Sequence, residues 1–103
     1  MIKQNVFIIN FKSLYEILDE IKENLSFNLI QHINEDNFIK DVNFDKKNSL
    51  VITNSNSTLK AGKNFEDKNI LNIQDYPILV IRLIELINIQ LIKIKFNHQS
   101  RIN

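Results

Sequence analysis

The chain has no cysteine, no tryptophan, one glycine and one proline in 103 residues. Without cysteine there is no disulfide framework, no thiolate nucleophile and no Cys-based zinc or iron–sulfur site. A lone glycine, Gly62, excludes a Gly-rich phosphate loop, and a lone proline, Pro77, excludes a Pro-rich linker. Charge of one sign is lacking too: 13 Lys and Arg balance 12 Asp and Glu. The surface is therefore neither a polyanion nor a general phosphate-binding face. Two histidines, His32 and His98, are the only imidazoles. The length fits one small domain, since two cores would each bury too little surface.

What the chain has in excess is isoleucine, asparagine and lysine, at 19, 16 and 11 residues. Their codons are rich in A and T, so this bias reads as genome composition, not mechanism. The N-terminal apolar stretch Val6–Ile9 is too short for a signal peptide. From Pro77 to Phe96 an apolar segment approaches membrane-spanning length, but Arg82, Glu85 and Lys93 interrupt it, and charge at mid-span is costly in lipid. A soluble, cytoplasmic protein is expected.

Periodicity supplies the architecture. Val6 to Ile9 reads as a strand buried on both faces. Phe11, Leu14, Ile17, Leu18, Ile21 and Leu25 then recur at helical steps, and Ser13 with Glu16 has capping-box spacing, with Asn10 as an earlier cap. Phe27–Ile33 is a second strand. Residues 34–42 fit a short helix capped by Asn34, with Phe38, Ile39 and Val42 inward. Ser49–Thr53 is a third strand, ending in the polar cluster that runs to Thr58. An irregular connection over residues 59–68 leads to a fourth strand, Asn69–Ile73. Pro77 suits a first helical position, and a helix is expected from about Ile78 to about Lys93. The rival for residues 87–96 is a strand, because Ile87, Ile89 and Leu91 alternate with polar residues. Residues 97–103 read as a polar tail or the start of a linker.

This order predicts an α/β domain over residues 1–96, a small parallel sheet of about four strands with helices on both faces. With the two end helices on opposite faces, the last helix has more apolar surface than a sheet face covers. Self-association or a protein partner is expected there, through Leu79, Leu83, Leu86, Ile87 and Leu91.

Chemistry is sparse. Asp19, Glu20 and Glu23 read as a solvated helix face, and Glu35 and Asp36 as first-turn acids complementing a helix dipole. His32 reads as a half-buried strand histidine with no second metal ligand, and His98 lies in the polar tail. Lys93, Lys95, His98 and Arg101 make the C-terminal end basic, as Lys60, Lys63 and Lys68 do for the loop, yet no aromatic stacking platform accompanies either cluster. Neither metal nor cofactor is expected, and the chain reads as a non-enzyme. A small α/β enzyme with its site around Thr53, Ser55 and Tyr76 is the least favoured reading.

The fourth strand followed by Tyr76-Pro77 and then Ile78-Leu-Val-Ile-Arg-Leu-Ile-Glu-Leu-Ile87 resembles the last strand and helix of two-component receiver domains. Those domains close on a strand, a Lys-Pro pair and a helix of the type Glu-Leu-Leu-x-Arg-Ile. Thr53 lies about as far ahead of Pro77 as the family's switch Ser/Thr lies ahead of its Lys-Pro pair. The family's phosphoryl chemistry needs an acidic pair after the first strand, an acceptor Asp after the third, and the lysine before proline. Here Asn10 and Phe11 follow the first strand and Tyr76 precedes the proline; with Ser49–Thr53 as the family's fourth strand the unit bearing the acceptor is missing, and with it as the third the acceptor position falls near Asn54. The resemblance thus implies a truncated receiver or flavodoxin-like domain that is phosphorylation-independent. It further implies a regulatory and dimerisation role in a transcription regulator whose DNA-binding domain lies outside this chain. The alternative is a stand-alone interaction adaptor of a signalling pathway.

Overall fold

A computed structural model of the protein describes residues 3–40, 44–45, 47–53, 69–73 and 78–99. The elements are β1 (Asn5–Ile9), α1 (Lys12–Asp19), a 3₁₀ turn (Lys22–Asn24), β2 (Asn28–His32), α2 (Glu35–Ile39), β3 (Ser49–Thr53), β4 (Ile70–Asn72) and α3 (Val80–Gln99). The four strands form one all-parallel sheet in the order β2-β1-β3-β4. This is an α/β fold with the strand order of a small flavodoxin-like domain.

β1 and β3 lie at the centre because both are apolar on both faces. Val6, Phe7, Ile8 and Ile9 are all fully buried, and side chains alternate across the pleat. Val6 and Ile8 join Leu50 and Ile52 of β3 on one face, beneath Leu14 and Leu18 of α1 and Leu83, Ile87, Leu91 and Ile94 of α3. Phe7 and Ile9 join Val51 on the other face, with Phe38 of α2 and the half-buried Phe44. Helices therefore cover both faces, as expected, but the two end helices share one face. The reason is handedness. The crossover from β1 to β2 and that from β2 to β3 run in opposite directions along the sheet, so right-handed connections put α1 and α2 on opposite sides. α3 follows the last strand and is not held by a further crossover, and it packs beside α1.

Local chemistry explains most boundaries. Asn34 caps α2 by accepting from the Asn37 N–H at 2.9 Å, as its position implied. Before β3, the Asp45 carboxylate accepts from Lys47 N–H at 3.0 Å and its carbonyl from Asn48 N–H at 2.9 Å, an Asx turn that aims the chain into the sheet. The buried Asn69 side chain donates to the Ser49 carbonyl at 2.9 Å and pins the start of β4 to β3. At the same amino edge of the sheet Gln4 donates from Nε2 to the Leu91 carbonyl at 3.0 Å, tying β1 to α3.

Three expectations are corrected. α1 begins at Lys12 with Phe11 at its N-cap and no side-chain capping bond, so neither Ser13 nor Asn10 caps it. It also stops at Asp19, and the 3₁₀ turn carries the chain on to Leu25, which is buried. Residues 87–96 are helix, as expected over the rival strand, but the helix runs past Lys93 to Gln99, into the stretch expected as a tail. Asn54, Ser55, Tyr76, Pro77, Val42 and the loop over residues 59–68 lie outside the described residues, as does Arg101.

Candidate functional site

In a parallel α/β sheet, loops at the carboxyl ends of the strands are where ligands sit. Here Asn10 leaves β1 with φ of 52°, the one positive φ among the described non-glycine residues. Asparagine tolerates this left-handed conformation, and the turn it makes sends the chain into α1. Its N–H still donates to the His32 carbonyl at 3.0 Å, so the β1–β2 ladder runs one step beyond the strand. Phe11 then folds under α1 and is 7% exposed.

Beside this turn lies a cavity of about 350 Å³ lined by Asn10, Phe11, Lys12, Gln31, His32 and Ile33. The ring of His32 stacks on Phe7 at 6.1 Å between centroids and meets Phe38 edge-on at 5.9 Å, which holds it against the α2 face. Lys12 forms a solvent-exposed pair with Glu16 at 3.9 Å, a contact worth little. The lining offers amides, one ammonium and one imidazole, and it supplies no hydroxyl, thiol or carboxylate side chain. It can hydrogen-bond a small polar molecule and holds no carboxylate to serve as an aspartyl acceptor. Among the described residues no group of three or more His, Asp or Glu is placed to hold a metal ion.

The cavity lies on the β1–β2 side of Asn10. The crevice where the strand order reverses is on the other side, between β1 and β3, because β2 and β3 flank β1. Thr53 ends β3 at that crevice and is buried, at 2% exposure. Register pairs Ile8 with Ile52, which sets Thr53 beside Ile9 and one step from Asn10. Of the positions singled out by sequence, the structure thus brings Asn10 and Thr53 to one edge of the sheet. Gln31 and Ile33 were missed there, although both immediately border the end of a parallel strand and were legible on that ground.

The second candidate is α3. Leu83, Ile87 and Leu91, expected at an interface, are 1%, 0% and 3% exposed. They are a correction to that expectation, because their contacts are taken up by the sheet. Leu86 is half-buried, and Leu79, just ahead of the helix, is exposed. The side of α3 turned away from the sheet carries Ile81, Ile89, Ile92 and Phe96 in solvent, which the sequence reading did not separate from the core side. Arg82 and Glu85 pair on that side at 3.0 Å. Among the described residues, no helix is long and apolar enough to cross a membrane.

No protein-family model matches the chain, and neither the curated proteins nor the solved structures give a significant match.

Proposed function

We propose that this chain is a receiver-like control module that works without phosphorylation, in a cytoplasmic transcription regulator whose DNA-binding domain lies outside residues 1–103. The observation that supports it is the carboxyl end of β1 in a sheet of order β2-β1-β3-β4, where the turn carries Asn10 and a buried Phe11. Where the family resemblance puts a metal-binding acidic pair, this turn has an amide and a phenyl ring. An amide is neutral and cannot charge-balance Mg²⁺. If Ser49–Thr53 corresponds to the family's fourth strand, Thr53 stands at the switch hydroxyl, and its burial suits a hydroxyl fixed in one state. The module's output is then carried by contacts between chains, not by a covalent mark.

The experiment is intact-mass measurement after incubation with acetyl phosphate and Mg²⁺. The expected result is an unchanged mass, and a stable phosphate adduct on any residue contradicts the reading. The exposed side of α3 also suits the stand-alone adaptor, which the length of the native polypeptide distinguishes.

A further inference from the structure

α3 shows solvent a face on which opposite charges stand four residues either side of Ile89. At 100° per residue, Ile81, Glu85, Ile92, Phe96 and Ile89 fall within one 80° sector, opposite the sector of Leu83, Ile87 and Leu91. Ile81 is 82% exposed, Phe96 65%, Ile92 57% and Ile89 44%. Along the stripe from Ile81 to Phe96 the helix rises about 22 Å, at 1.5 Å per residue.

Apolar exposure alone does not name a partner, but the charges do. Glu85 lies one turn before Ile89 and Lys93 one turn after it, and both are exposed. Arg82 and Phe96 flank Ile89 at equal distance, seven residues on either side, as do Leu86 and Ile92 at three residues. A two-fold axis beside Ile89 therefore sets opposite charges, a cation and a ring, and two apolar side chains against one another. Glu85 meets Lys93 of the other copy, Arg82 meets the face of the Phe96 ring, and Leu86 meets Ile92. The row Ile81, Glu85, Ile89, Lys93 is also a four-residue ridge, the kind that packs in the commonest helix crossing. A parallel arrangement in register would instead set Glu85 against Glu85 and Lys93 against Lys93.

We infer that the outward face of α3 is the surface through which two copies of this chain associate, antiparallel and centred on Ile89. This rests on the dimerisation half of the function proposed above and names its surface. One helix face of this length lies at the small end of specific interfaces, so the dimer is weak, with Kd on the order of 0.1 mM for these residues alone.

The test is sedimentation of the wild-type chain and of Glu85→Lys, Lys93→Glu and the double variant, from about 10 µM to about 1 mM to bracket that Kd. Each single variant sets like charges together twice per dimer and weakens association about tenfold. The double variant and an equimolar mixture of the two single variants both return to the wild-type value, since each restores opposite charges at both contacts. Wild-type chain that stays monomeric throughout overturns the inference. So does a dimer that both single variants leave unchanged, which moves the interface elsewhere without touching the phosphorylation test. Single variants that weaken association without restoration in the mixture overturn the antiparallel register. Because all of these positions are exposed, helical circular dichroism equal to wild type is expected of every variant.

Discussion

Asn10 holds a backbone conformation that costs a residue with a Cβ about 1 kcal/mol and a branched one more. Replacing it by glycine leaves stability equal or slightly raised, whereas Asn10→Val lowers it by about 1–2 kcal/mol, measured by urea unfolding. A valine variant as stable as wild type contradicts the left-handed turn. Phe38 gives the second residue-scale prediction. It is fully buried and its ring meets Phe7, His32 and Phe44 at centroid distances of 5.5 to 5.9 Å, so it closes the aromatic cluster on the α2 face. Phe38→Ala is expected to cost about 3–5 kcal/mol in the same measurement, by lost burial and a residual cavity. A cost below about 1 kcal/mol means that α2 does not seal that face.

At the scale of elements, α3 separates two roles that its sequence superposes. Ile87→Ala removes a side chain packed on the sheet and is expected to lower stability by about 2–5 kcal/mol, while Ile81→Ala on the outer face changes it by less than about 0.5 kcal/mol. Equal effects contradict the orientation of the helix. Asn34→Ala removes the α2 cap and is expected to cost about 1 kcal/mol. Elements with one clear period were legible: Ser49–Thr53 is β3 to the residue, and Asn34 caps α2 as its side chain and the following acids imply. α3 was only half legible because isoleucine and leucine occupy nearly every angle around it. A helix apolar all round shows that it is helical or buried but not which side meets the sheet, and so Leu83, Ile87 and Leu91 were assigned outward and Ile81, Ile92 and Phe96 were not. The strand alternative for residues 87–96 came from the same abundance of β-branched residues, and the uninterrupted four-residue ridge resolves it. The cap of α1 was misread for a different reason. Ser13 has the right chemistry, but the turn at Asn10 starts the helix one residue before it can serve.

For the whole molecule, the sheet is wholly parallel and its middle is apolar on both sides, so the two central strands depend on helices packed above and below them. The helices at the two ends of the chain share one face, and this leaves the far side of α3 as surface instead of sandwiching it. Among the described residues the carboxyl edge carries an amide turn, a buried threonine and a cavity lined by one imidazole and one ammonium. The proposed regulatory role calls for an output domain. The decisive measurement is the mass of the native polypeptide that contains this sequence, by immunoblot and intact mass spectrometry from its own cells. The account predicts a single polypeptide well above the 12.2 kDa of these residues, with a DNA-binding domain following them. A native species of 12.2 kDa contradicts the transcription-regulator reading and leaves the stand-alone adaptor in its place.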